Sequence, residues 1–167
     1  MTFDDLSIRE VDLQKVLPLR TSVLRPHVPP GTFALFDQDQ AEHTRHFAAL
    51  LNSQIVAVLS IYLRPLPDSP PPPPELANDP EALHLRGMAV VQHLQGHGVG
   101  SLLLSTVLTR LPLSYPLSRV IWCNARQPAR SFYQRHGFQS IGPPFDVPEI
   151  GPHLRMARTL PAALATS

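Results

Sequence analysis

Cysteine is almost missing from this chain. Cys123 stands alone among 167 residues, so no disulfide can form within it. Lysine is as scarce: Lys15 is the single one, and the other thirteen of the fourteen Lys and Arg side chains are arginine. Thirteen acids offset them, for a formal charge of +1, and no Lys/Arg cluster marks a nucleic-acid groove or a membrane-surface patch. No apolar run approaches the ~18 residues of a membrane span. The opening residues, MTFDDLSIREVDL, lack the basic and long apolar segments of a secretory signal, which gives a cytoplasmic expectation. Two familiar phosphate loops are absent as well. There is no GxxxxGK[ST], and the glycines at 96, 98 and 100 are followed by Ser101, which breaks GxGxxG.

What is present centres on Leu83 to Leu108, LHLRGMAVVQHLQGHGVGSLLLSTVL. Leu83, Leu85, Gly87, Ala89 and Val91 alternate with His84, Arg86, Met88 and Val90, a strand pattern. The second set turns apolar towards its end, as in a sheet covered on both faces. A polar connection, the glycine run and an apolar helix from Ser101 to Leu111 follow. Strand, glycine turn and helix start make an anion site, because first-turn N–H groups have no partner within their helix and the helix dipole adds positive charge. Glycine lets that backbone approach a phosphate closely.

The remaining pattern is short strands around helices. Leu6–Val11 reads as a strand, and Asp12 is placed to cap a helix through Leu13, Val16, Leu17, Arg20, Val23 and Leu24. Pro18 falls inside that pattern and predicts a kink or restart. Residues 26–43 read as loop or short helix. Residues 44–51 and 55–63 read as strands joined by Asn52-Ser53-Gln54, a hairpin signal. Residues 64–80 hold eight prolines, five of them consecutive, and read as a stiff exposed loop, with a ligand for SH3- or WW-type grooves as the competing reading. Residues 113–118 read as a connector, 119–124 as a strand, and 128–137 as a helix opened by Pro128 and closed by Gly137. Residues 138–145 and 153–160 would be the last strands, ahead of a frayed tail, 161–167.

Two motifs carry a family resemblance. Gln95, Gly98 and Gly100 meet Gln/Arg-x-x-Gly-x-Gly/Ala directly after a strand ending MAVV, and Ala129, Phe132, Tyr133, Gly137 and Phe138 meet A-x-x-F-Y-x-x-x-G-F about thirty residues on. In this order they resemble the GNAT superfamily of N-acetyltransferases. The resemblance implies one α/β (α+β) domain over 1–160. Its mixed, mainly antiparallel sheet of six to seven strands is flanked by helices and splayed between strands 4 and 5. It implies acetyl-CoA as co-substrate. Met88, Ala89 and Val90 would pair with the pantetheine arm, and the backbone from Gln95 through Gly96, His97, Gly98, Val99 and Gly100 to Ser101 would hold the pyrophosphate. The segment after the first helix would wall the acceptor pocket. Arg126 stands where the family often has Asn, and could meet a phosphate as a guanidinium fork.

Transfer of acetyl to an amine needs a base for the amine, a donor for the oxyanion and an acid for the leaving thiolate. The resemblance assigns the acid to Tyr133. For the base, His84 holds the position of the family's strand-4 glutamate, with His153, Glu149, Asp146 and a water chain as rivals. The histidine and methionine of one family subgroup's final strand would be His153 and Met156. Cys123, in an apolar strand, reads as packing rather than as a nucleophile. His43-x-x-His46 lacks partners at metal spacing, so no metal is expected. The expected acceptor is a small-molecule or peptide amine, with no nucleic-acid or membrane partner; oligomeric state, a homodimer included, stays open. The missing glutamate at 84 sustains one alternative, a non-catalytic CoA-binding sensor, and the proline run another, an interaction module.

Overall fold

The computed structural model describes residues 3–162. Seven strands and three α-helices follow one another along it: β1 Leu6–Val11, α1 Leu13–Leu24, β2 Arg45–Leu51, β3 Gln54–Leu63, β4 Leu83–Val90, α2 Val99–Ser114, β5 Val120–Arg126, α3 Arg130–Arg135, β6 Gln139–Val147 and β7 Gly151–Thr159. The strands form one mixed sheet in the order β1-β2-β3-β4-β5-β7-β6. The parallel step is β4 to β5, with Leu83 opposite Ile121 and His84 opposite Trp122. The chain divides into two compact units, residues 1–62 with 85–107, and residues 63–84 with 108–167.

In the first unit, β1 and β3 flank β2 in antiparallel register. Asn52 and Ser53, both left-handed at φ 50° and 65°, make the two-residue turn between β2 and β3, whose twist suits a hairpin. α1 lays Leu13, Val16 and Leu17 on Ala48, Val58 and Ala89. Pro18 does not divide this helix. Proline removes one N–H and leaves one carbonyl unmatched, and the flanking turns still close. Asp12 occupies the N-cap position, yet its side chain makes no capping bond; its backbone carbonyl receives Lys15 N–H instead.

In the second unit, β7 lies between β5 and β6, antiparallel to both. Its core gathers Leu66, Leu76, Ala82, Val120, Trp122, Ile141 and Ala157. The proline segment contributes to that core: Leu66 and Leu76 are buried, and a Cβ at Gly142 would overlap Pro70. Arg155 also donates to the Ser69 carbonyl at 2.9 Å. The expected stiff loop is thus docked on its own unit. Asp79 fixes its far end, accepting the N–H groups of Arg119 and Val120 at the start of β5. α2 runs three residues past the expected end, with Pro112 inside it.

Candidate active site

The strand, turn and helix start that the sequence pattern requires form within the first unit. After β4, Val91 N–H bonds the Val56 carbonyl and a 3-10 turn at Gln92–Leu94 buries Leu94. The Gln95 side chain folds back to donate to the Val90 carbonyl at 2.9 Å. Gln95 therefore braces the loop on the strand. His97 donates through Nδ1 to the Gln95 carbonyl at 3.0 Å, since a carbonyl only accepts. Gly96 and Gly98 are left-handed, φ 78° and 89°, and nothing lies within 4 Å of where a Cβ would stand on either. That opening is what an anion needs in order to reach the backbone. Val99, Leu103, Leu104 and Val107 are fully buried and fix the helix whose first turn starts at the opening. No acid stands in that turn to compete for its N–H groups.

In the second unit, α3 presents Tyr133, buried and edge-on to Phe132 and Phe138 at 5.1 and 5.4 Å. Burial, with a smaller contribution from Cys123, pushes its phenol well above the ordinary value. Tyr133 is thus protonated at any working pH. Complete proton transfer from such a phenol to a thiolate whose parent thiol lies near ~8.5 would run uphill, so what this side chain can offer is a hydrogen bond. Cys123 is buried and its thiol is likewise pushed up by desolvation, which removes the thiolate a nucleophile would need.

The two histidines differ in which nitrogen is spoken for. His84 is buried, stacked on Trp122 at 3.7 Å, and its Nδ1 faces the Arg64 guanidinium at 3.5 Å. A guanidinium only donates, so the neutral ring carries its proton on Nε2 and its lone pair is engaged. His153 is the reverse. Its Nδ1 faces the Gly151 carbonyl at 2.9 Å and must carry the proton, which puts the lone pair on Nε2. Asp146 and Glu149 lie exposed around the β6–β7 turn. Arg126 ends β5 opposite His153.

A third cluster gave almost no signal in the sequence. Arg20 of α1, wholly buried, donates to Asp39 at 2.7 Å, to the Ala34 carbonyl at 3.1 Å and to Ser60 at 2.7 Å. Tyr62 and the Phe36 N–H also donate to the Asp39 carboxylate, at 2.6 and 2.7 Å. Burial alone would raise Asp39, but its bonds to Arg20, Tyr62 and Phe36 outweigh that and hold it below the usual value. Ser60 accepts from Arg20 and donates its hydroxyl hydrogen bond to His46 Nδ1 at 2.6 Å; His46 Nε2–H then donates to the Asp39 carbonyl at 3.1 Å. The single hint was Arg20 on the apolar stripe of its helix. Among the described residues no group of three His, Cys, Asp or Glu could hold a metal ion, and no helix is long and apolar enough to cross a membrane.

Residues 13–138 match the model of the acetyltransferase (GNAT) family, and so span both signature motifs. The chain belongs to the GNAT family. It is a GNAT N-acetyltransferase, from a family that uses acyl-CoA. An uncharacterized N-acetyltransferase of Bacillus subtilis, YitI, is 28% identical over 155 residues, covering 93% of this chain and 97% of that protein. Among solved structures this GNAT chain is similar to Escherichia coli ElaA, with TM-score 0.68 and 21% identity over 92% of this chain and 99% of that one. It is similar also to an aminoglycoside 6'-N-acetyltransferase complexed with coenzyme A, with TM-score 0.64 and 12% identity over 92% and 96%. At these identities both structures speak to the GNAT fold alone.

Proposed function

We propose that this enzyme moves an acetyl group from acetyl-CoA to a primary amine of a small molecule or peptide, by direct attack in a ternary complex. The observation that carries this is the open left-handed turn at Gly96 and Gly98, set at the head of α2 and braced by Gln95 on the last residue of β4. The turn and first helical residues, 95–101, take the diphosphate. Met88, Ala89 and Val90 hold the pantetheine arm, and a backbone N–H of this strand receives the oxyanion. Gln95 already engages the Val90 carbonyl, so Val90 offers the arm chiefly its N–H.

In this reading Tyr133 donates to the sulfur as the carbon–sulfur bond breaks. His153 takes the ammonium proton at Nε2. It is preferred to His84 on its tautomer, and His84 keeps a shaping role beside Trp122. Arg126 supplies a cation for a cofactor phosphate. The family's use of acyl-CoA supports the choice of donor. The test is a panel of amines, amino acids and peptides with acetyl-CoA, following free thiol. Acceptor-dependent thiol release with a matching N-acetylated product supports the reading. Coenzyme A binding with no acceptor-dependent release across a broad panel would count against it.

A further inference from the structure

The Arg20 cluster touches β4 immediately before the residues assigned to the thioester. Gly87 is left-handed at φ 66°, and a Cβ there would lie 2.8 Å from Arg20 Nε and 3.3 Å from Phe36 Cε2. Arg20 Nε is itself buried without a hydrogen-bond partner, so the guanidinium is aimed at this bare stretch of strand and held there by its other two nitrogens. Phe36 is clasped between two cations, Arg20 at 4.4 Å and Arg86 at 4.0 Å from its ring centre, and Arg86 reaches Asp37 at 3.4 Å. Arg86, Gly87 and the 34–39 segment thus form one braced body. At its centre is a closed ring of hydrogen bonds, Asp39 to Arg20 to Ser60 to His46 and back to the Asp39 carbonyl.

We propose that Arg20 and Asp39 are positioning residues for acyl transfer, fixing the left-handed turn of β4 at Gly87 and, through it, the aim of Met88–Val90. This rests on the assignment of Met88–Val90 to the thioester arm. The physical reason is rigidity. A strand containing one left-handed residue has lost part of its ladder there and needs another support to hold its direction. The guanidinium fork supplies that support from one side and Phe36 from the other. The diphosphate loop at 95–101 has its own bracing through Gln95 and Leu94, so the cluster governs alignment of the reacting carbonyl and not the grip on coenzyme A.

Four variants test this: Asp39→Asn, Ser60→Ala, Gly87→Ala and Arg20→Lys. Ser60→Ala opens the ring without unpairing the carboxylate and is the one that keeps its fold if Asp39→Asn does not. Each is checked by circular dichroism and melting, then by calorimetry with coenzyme A and by steady-state kinetics. The expected result is kcat lowered about tenfold to a hundredfold, the scale of a sub-ångström to one-ångström misplacement, with the Kd for coenzyme A within about threefold of wild type. Arg20→Lys, which keeps the charge and loses the fork, falls between wild type and Asp39→Asn. A merely structural role would lower the melting temperature and leave kcat per folded molecule intact. Folded Ser60→Ala and Gly87→Ala enzymes with wild-type kcat overturn the proposal while the assigned site stands. A wild-type protein that binds no coenzyme A overturns the site assignment, and this inference with it.

Discussion

Replacing Gly98 with leucine, and Gly31 with leucine as its control, separates strain from ligand binding. Both glycines are left-handed, at φ 89° and 83°, and both face open space, with nothing within 4 Å of an added Cβ. Any L side chain there costs about 1–2 kcal/mol of backbone strain. For a domain this size each kcal/mol lowers the melting temperature by about 2–4 °C, so both variants should melt roughly 2–8 °C early. The two then part company. At position 98 the side chain occupies the space assigned to the diphosphate. Loss of two charge-assisted hydrogen bonds, worth about 1.5–3 kcal/mol each, weakens binding by at least ~100-fold. Gly31 lies outside the loop, so Gly31→Leu should bind coenzyme A within about twofold of wild type on the same arithmetic. Calorimetry with coenzyme A, paired with melting curves, reads both quantities. Native affinity in Gly98→Leu, or equal losses in the two variants, would refute the assignment of the loop.

Other outcomes follow from the same geometry. Tyr133→Phe should cut kcat by on the order of a hundredfold or more and leave the Kd for coenzyme A nearly unchanged, as for loss of a hydrogen-bond donor to developing charge; unaltered turnover removes Tyr133 from the chemistry. Because burial raises the Tyr133 phenol, the wild-type pH–rate profile should show no alkaline fall from this group below pH ~10. His153→Ala should abolish the acidic limb of kcat/KM, whereas His84→Ala keeps it; the opposite pattern would return the base to His84. Stability should also depend on pH through the buried ring. Desolvation, the largest cause, holds His46 below its ordinary value, so its contribution is complete above the unfolded value near ~6.5 and falls away as pH drops below it. Asp39, held low, keeps its contribution down to more acidic pH and loses it as pH falls through its folded value. Melting temperature should therefore decline in two stages on acidification, and His46→Phe should flatten the first; an unchanged first stage would show that His46 does not carry it.

The backbone was legible where local chemistry dictates it. Alternation drew β4, Asn52 and Ser53 announced the turn between β2 and β3, and two glycines marked the opening that precedes α2. Packing overrode propensity at the prolines inside helices. α1 continues through Pro18 and α2 through Pro112, because their apolar faces hold adjacent turns in place. The proline segment is exposed along much of its length as expected, at Asp68, Ser69, Pro71, Pro74 and Glu75 among others, but its sequence says nothing of Leu66 and Leu76 finding a shared core.

The open turn at Gly96 and Gly98 and the helix that carries Tyr133 were legible in the sequence, and the polar partners around them were not. Asp39 and Tyr62 are 23 residues apart, and Arg20 and Ser60 are 40 apart, so no local spacing foretells either bond. Which histidine has a lone pair to offer depends on Arg64 beside His84 and on the Gly151 carbonyl beside His153. Only the folded chain supplies those neighbours, and identical residue types came out with opposite tautomers.

Amide-resolved NMR of the labelled protein, titrated with acetyl-CoA, reads the assigned cofactor path residue by residue. The largest shifts should fall at Met88–Val90 and at residues 96–101, saturating together with a single Kd. Saturable binding whose shifts bypass both segments, or no shift at all up to millimolar acetyl-CoA, would contradict that path.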